Sequence, residues 1–469
     1  MQDFSLFPSA QWCDAIPEQC ALMWEKGEAD PLSFLPEQFS WRQWQRLVCQ
    51  MATFLQSKGV AAQQLVAYRG QHRLLGLLCY CGVLSLNARI LMLNPAMPPA
   101  QRNQILADNR IEHCLCEADF ADFSLELPAC SLPLPALDQP ATLTLTSGSS
   151  GKPKAVVHSI RQHLASAEGV CQFMQFGQGD SWLFSLPLFH VSGQGIVWRW
   201  LSQGATLVIC EEKNRLWHWL AQVSHASLVP TQLQRYLTHL TDRTAHQHIL
   251  LGGAFIPPAL IRQAQANGIT TYAGYGMTEM ASTVCAVKND HDNVGYPLAD
   301  RAVKIVDNEI WVRGAMLGLG YWQHGEIVPF TNAAGWFATK DKGEYRANGK
   351  LVINGRLDNM FISGGENIQP EAVEATLFAS GLLKNIVIVP LADREFGERP
   401  VALVEFNEPF STQAVEKLRQ FAKQQLEAFK QPIHYLPWAA EKWQTNGIKI
   451  SRSQLKQYVA ELIREQHNV

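Results

Sequence analysis

Apolar and polar positions along this chain fall into helix-length stretches that alternate with short β-branched or Leu-rich runs, the pattern of an α/β protein. The apolar stretch Leu74 to Ser85 predicts a helix. Asn87 then predicts a left-handed cap, Arg89 to Leu93 a strand, and Asn94-Pro95 its end. Ala141 to Thr146 predicts a second strand that runs straight into a Gly/Ser-rich loop. Near Gly349 the texture changes: Lys350 to Asn354 predicts a strand and Gly355-Arg-Leu-Asp358 a turn. Beyond it, Pro370 opens a helical turn followed by Glu371 and Glu374, and Ser411 to Phe429 predicts a longer helix before a charged tail. The pattern therefore predicts two domains, 1–356 and 357–469, with no internal repeat and no low-complexity tract.

Composition changes this picture little. With 469 residues, 47% hydrophobic and 17% charged, the chain can bury a sizeable core. A formal charge of −3 carries no basic stripe for nucleic acid or a membrane surface. The apolar run near Leu74 to Leu86 is too short to span a bilayer, and Met1-Gln-Asp-Phe-Ser5 lacks a signal peptide's basic and apolar regions. The expectation is a soluble cytoplasmic protein without nucleic-acid or membrane partners, with a homodimer as the default assembly. None of the eleven cysteines forms a Cys-x-x-Cys. Cys79/Cys81 and Cys114/Cys116 are two apart, so in strands each pair would share a face, with His113 alongside the second as a third metal donor. Against a metal site stands the commoner role of cysteine as a small buried apolar residue in a reducing compartment.

The strongest candidate chemistry is Thr146-Ser-Gly-Ser-Ser-Gly-Lys-Pro-Lys154. Glycines allow successive backbone N–H groups to converge on an anion, hydroxyls add donors, and Lys154 and Lys152 supply positive charge. A Gly/Ser linker fits poorly, because a strand precedes this segment and another apolar run, Ala155-Val-Val157, follows it. A P-loop needs Gly-x4-Gly-Lys-Ser/Thr opening a helix; here Gly148 and Gly151 are too close and Pro153 follows Lys152.

This loop resembles the signature of the adenylate-forming superfamily, with Ser150 and Ala155 in place of Thr and Gly. Four more stretches resemble that family's motifs in the same order: Tyr275-Gly-Met-Thr-Glu279, Ala338-Thr-Lys-Asp341, Gly355-Arg-Leu-Asp358 running on to Glu374, and Thr445-Asn-Gly-Ile-Lys-Ile-Ser-Arg452. The resemblance covers roughly residues 40 to 460. It implies a large multi-sheet α/β N-terminal domain with a small mobile α+β C-terminal domain, and ATP, Mg²⁺ and coenzyme A as cofactor and co-substrates. By resemblance, ATP is held by Thr146, Ser147, Gly148, Ser149, Ser150, Gly151 and Lys154. The strip Gly252, Gly253 and Ala254 would lie beside adenine, as would Gly274, Tyr275 and Gly276. Thr278 would meet the α-phosphate, Glu279 the metal, and Asp341 with Arg356 the ribose. Lys340 replaces the usual Gly, leaving only the local backbone in question. Asp358 would be the hinge, and Gly364 and Gly365 the coenzyme A channel. Lys449 is the catalytic lysine when the last motif is registered on Arg452, although Ile448 separates it from Gly447.

The implied reaction has two steps: a carboxylate attacks the α-phosphate of ATP, then a thiol displaces AMP. Anion meets anion in the first step, so charge neutralisation by Glu279-bound Mg²⁺, the loop with Thr146, and Lys449 matters more than covalent help. His190 in Pro187-Leu-Phe-His190 is expected as a wall and gate of the acid pocket, with Ser192, Arg199 and Thr283 also there by resemblance. Arg199 sits in the apolar run Ile196-Val-Trp-Arg-Trp-Leu201, where a buried cation needs an anion. That anion is either an internal carboxylate or the second carboxylate of an aromatic diacid. The His190–Leu201 block, Ser227-Leu-Val-Pro-Thr-Gln-Leu233 and the Asn446–Arg452 ending resemble the menaquinone-pathway ligases that join o-succinylbenzoate to coenzyme A. Other readings are another aryl- or dicarboxylic acid–CoA ligase, a loader of a carrier-protein thiol, a non-catalytic nucleotide sensor and a luciferase-like oxygenase.

Overall fold

The computed structural model describes residues 4–28, 30–111, 113–128, 132–146, 153–240, 247–253, 256–439 and 452–467. Their packing separates two compact units: described residues up to 303 with 312–337, and 304–311 with those from 338 onward.

The first unit is built on two large sheets. In one, nine strands lie in the spatial order Tyr296–Pro297, Ser282–Lys288, Ile269–Met277, Gln247–Leu251, His225–Leu228, Ser181–Leu183, Thr206–Cys210, Cys20–Glu25, Gln38–Ser40. The other orders seven: Glu326–Val328, Gly320–Gln323, Lys154–Ser159, Pro140–Thr146, Arg89–Leu93, Leu65–Arg69, His113–Cys116. Parallel neighbours need crossovers, and helix Arg73–Ser85 supplies the one between Leu65–Arg69 and Arg89–Leu93. Residues 74–85 are all buried, so its apolar all-round sequence is what this position requires. The chain leaves it through Asn87 at φ +56° and enters the expected strand. Helix Ile160–Met174 starts on a capping box in which Gln162 N donates to Ser159 Oγ (3.2 Å) and Ser159 N to Gln162 Oε1 (2.9 Å). Indoles fill much of the core: Trp41 stacks on Trp200 at 5.3 Å, and Trp200 Nε1 donates to Ala21 O.

Cys79 and Cys81 are fully buried, the commoner role expected of cysteine here. They lie on a helix, where positions two apart do not share a face, and burial pushes both thiols far above their ordinary range. Cys114 and Cys116 do lie on a strand. Among the described residues no group of three or more His, Cys, Asp or Glu is arranged to hold a metal. No helix among them is long and apolar enough to cross a membrane.

In the second unit, strands Glu366–Ile368, Phe361–Ser363, Gly397–Phe406 and Leu383–Asp393 follow one another in a sheet, with His434–Pro437 added alongside Gly397–Phe406. Helix Pro370–Phe378 carries the expected proline in its first turn, and Ser411 caps helix Thr412–Gln425 through Ala414 N. Helix Arg452–His467 is tied down at its start, where the Arg452 guanidinium meets Glu374 at 2.8 Å and Glu371 at 3.3 Å.

Candidate active site

Thr146 and Lys154 are register partners across the hairpin of Pro140–Thr146 and Lys154–Ser159, so the Gly/Ser-rich loop leaves and returns at one point. That point is the carboxyl end of a strand parallel to Arg89–Leu93, where open α/β sheets place ligands. Ser147, Gly148, Ser149, Ser150 and Gly151 lie outside the described residues. Ala155, the departure from Gly, lies within the strand and needs no left-handed backbone. Lys154 Nζ sits 4.9 Å from the ring centre of Tyr321, and Tyr321 Oη donates to Glu279 Oε1 at 2.8 Å. One tyrosine therefore holds a cation on its ring and a carboxylate at its hydroxyl. Oε2 of the half-buried Glu279 accepts no hydrogen bond among the described residues. A hard oxygen donor with one open position, beside a lysine, fits a Mg²⁺ shared with phosphates. Behind it, buried His158 faces the Glu279 carbonyl at 3.4 Å; burial lowers the imidazole to about 4 and keeps it neutral.

Gly252 and Gly253 leave the end of strand Gln247–Leu251 beside Gly274 on its neighbour, since Leu251 pairs with Ala273. Ala254 lies outside the described residues. Tyr275 and Gly276 continue that neighbour, with Tyr275 opposite Cys285 and Gly276 opposite Thr283 across a register shift. A Cβ at Gly276 would come within 2.2 Å of Ser282 O, so only glycine permits this approach. Thr278 opens the short 3-10 turn Thr278–Met280 that carries Glu279.

The acid-pocket candidates gather on helix Val191–Gln203. His190 precedes its first turn, and Ser192, Gly195 and Arg199 follow at spacings that put them on one face. Arg199 is 1% exposed. Its Nη1 donates to Ser227 Oγ (3.2 Å) and Nη2 to Ser282 Oγ (3.0 Å), while the guanidinium lies 5.0 Å from the Trp182 ring centre. Nε has no hydrogen-bond partner, and no carboxylate among the described residues pairs with it. Burial pushes this guanidinium down to about 10. Buried Arg301 shows the contrast: its Nε, Nη1 and Nη2 donate to the carbonyls of Thr283, Ala299 and Ser166. Gly195 makes room for Arg199, because a Cβ there would lie 3.1 Å from both Nη2 and Ser282 Oγ. Buried Thr283 follows Ser282, its Oγ1 3.5 Å from Ser282 Oγ. Sequence reasoning missed Tyr321, His158, Ser282 and the pairing of Ser227 with Arg199. Lone hydroxyls and rings carry no spacing signal, though Ser227 opens the stretch Ser227–Leu233 that carries part of the resemblance.

In the second unit, Asp341 and Arg356 are register partners, and Arg356 Nη1 donates to Asp341 Oδ1 at 3.0 Å. Arg356 also grips Asp358 with Nε on Oδ1 (2.8 Å) and Nη2 on Oδ2 (3.1 Å). Lys340 takes the left-handed backbone (φ +64°) that the family's Gly would occupy, and its N–H donates to Glu309 Oε1 at 2.8 Å. Gly364 and Gly365 form the exposed turn between Phe361–Ser363 and Glu366–Ile368. Lys449 lies outside the described residues; Arg452, on which it was registered, begins the last helix.

The sequence model for AMP-binding enzymes matches residues 12–132 and 117–322, taking in the nine-stranded sheet and most of the seven-stranded one. The chain belongs to the AMP-binding enzyme family. Among its relatives, the 2-succinylbenzoate–CoA ligase of Haemophilus influenzae is 48% identical over 433 residues, 90% of this chain and 93% of that protein. The Escherichia coli protein of the same name is 43% identical over 442 residues, 92% and 96% of the two chains. Among solved structures, a lysine-for-arginine variant of E. coli MenE with bound OSB-AMS is 39% identical, with a TM-score of 0.83. That match covers 98% of this chain and 99% of that one.

Proposed function

We propose that this chain joins 2-succinylbenzoate to coenzyme A through an acyl-adenylate, releasing AMP and pyrophosphate. The observation that carries the choice of acid is Arg199: a buried cation held by two neutral hydroxyls, with no carboxylate of its own among the described residues. A ring carboxylate would complete it, while the succinyl carboxylate, at the other end of the acid, reacts. In the first step a carboxylate oxygen attacks the α-phosphorus, and the bond to the bridging oxygen breaks with its electron pair leaving on pyrophosphate. In the second, the thiol sulfur attacks the acyl carbon, AMP leaves, and the thiol proton passes to solvent. Mg²⁺, when bound, would neutralise phosphate charge. Glu279 would hold it, with Tyr321 fixing the carboxylate; Thr146 and Lys154 would meet the phosphates. Lys449 would bridge the reacting carboxylate and the α-phosphate. Asp341 and Arg356 would take the ribose, His190 would wall the acid pocket, and Ser192 and Thr283 would line it. Gly364 and Gly365 would line the pantetheine path. Asp358 would be the pivot on which residues 359–469 turn between the two steps, dividing the chain at 356/357. A cytoplasmic setting and a homodimer belong to the same reading.

The test measures AMP release and thioester formation with 2-succinylbenzoate, with and without coenzyme A, against the analogue lacking the ring carboxylate. Coenzyme A-dependent turnover that prefers the diacid is expected. Equal rates for the two acids would reject the assigned substrate, and adenylate formation without transfer to free coenzyme A would favour a carrier-loading enzyme.

A further inference from the structure

A second cluster of cations lies away from these motifs. At the starts of strands Leu65–Arg69, Arg89–Leu93 and His113–Cys116 there is a cavity of about 240 Å³, lined by Gln63, Arg89, Arg110, His113 and Trp322 among others. By contrast, Thr146 ends its strand. The ionisable side chains on its wall are two arginines and a histidine, and no carboxylate lines it among the described residues. Arg89 lies 5.2 Å from the ring centre of Trp322, and desolvation lowers its guanidinium from its ordinary range. Trp322 is itself fixed, 9% exposed with Nε1 donating to Asn109 O at 3.3 Å. Arg110 follows the carboxyl end of helix Pro99–Asp108 at φ +54°, a position that ordinarily favours glycine, and Gln63 is at φ +65°.

We propose that this cavity binds a small oxyanion, phosphate or carboxylate. Guanidinium forks chelate either group, a histidine adds a further donor, and the volume admits a phosphate with waters or a benzoate-sized acid. Occupancy is felt at Glu279, because strand Gly320–Gln323 carries Trp322 at the cavity and, one residue earlier, Tyr321 on the Glu279 carboxylate. This coupling rests on the ligase reading; the binding itself does not.

The test is thermal unfolding of the full chain in inorganic phosphate or in benzoate, against chloride at matched ionic strength. Saturation of one such site should raise the midpoint by on the order of 1–2 °C. Arg110→Gln, at an exposed position that does not threaten the fold, should lose most of the rise, and Arg89→Gln with Arg110→Gln all of it. Lys154→Gln, which weakens the ATP-phosphate site, should keep the rise. A response to phosphate alone or benzoate alone identifies the source of the anion. No response to either anion, or a rise untouched by the arginine changes, overturns the proposal. For the coupling, the Mg²⁺ concentration giving half-maximal acid-dependent ATP–pyrophosphate exchange should shift roughly twofold or more with the responding anion in the unmodified enzyme and stay put in Arg110→Gln. Binding without that shift removes the link to Glu279 and leaves the ligase reading intact.

Discussion

Replacing Arg199 by methionine separates the two partners that the sequence left open for it. An arginine paired with an internal carboxylate would cost about 3–5 kcal/mol to remove, since the acid is left buried and alone. The structure gives the opposite balance. Burial lowers the guanidinium to about 10, a penalty on the order of 3 kcal/mol for keeping it charged at neutral pH. The sign follows because the folded chain binds this proton more weakly than the unfolded one, so the charge subtracts from stability at any pH well below 10. Methionine removes that penalty and loses the bonds to Ser227 and Ser282, worth about 1.5–3 kcal/mol each because the donor is charged. The two effects largely offset, so the ligand-free Arg199→Met enzyme should unfold at or only slightly below the unmodified midpoint. Its kcat/KM for 2-succinylbenzoate should fall by about 2–5 kcal/mol of lost pairing, roughly 30-fold or more. For the analogue without a ring carboxylate it should change little. A midpoint several degrees lower would mean that an acid inside the fold owns Arg199, and additive losses in the enzyme–substrate double cycle would remove the contact with the ring carboxylate.

Other residues give separate checks. Lys449→Ala should abolish adenylate formation while supplied acyl-adenylate is still converted to thioester; equal loss of both half-reactions would undo the register taken from Arg452. Asp358→Pro fixes φ near about −65° and removes the carboxylate that Arg356 grips, so one half-reaction should drop far more than the other. Unchanged rates for both steps would reject the pivot. His158, neutral and buried with its imidazole at about 4 against an ordinary 6.5, binds a proton more weakly folded than unfolded. Stability should therefore fall as pH drops from 6.5 towards 4, by up to about 3 kcal/mol from this group. Urea midpoints across that window should fall less steeply in His158→Gln, the remaining slope coming from His163 and His225, which burial also lowers, and an unchanged slope would place the titration elsewhere.

Much of this protein was legible before any coordinates. Local rules fixed the buried helix after His72, the Asn87 turn, the strand into the phosphate loop and the proline-led helix at Pro370, because each depends on residues within one turn or strand. The nucleotide motifs were legible for the same reason, their spacing being local. The predicted helix already placed Cys79 and Cys81 two apart on one helix, but the sequence alone could not say that both would be fully buried. Nor could it choose the partner of Arg199, which depends on hydroxyls 28 and 83 positions away. Only the tertiary structure put Tyr321 between Lys154 and Glu279, paired Asp341 with Arg356 across a strand register, and left one buried arginine on two serines while three carbonyls satisfied another. The physical reason is the same throughout. Propensity and capping act over a few residues, whereas a charge buried in the core is set by whatever distant segments the sheet order brings beside it.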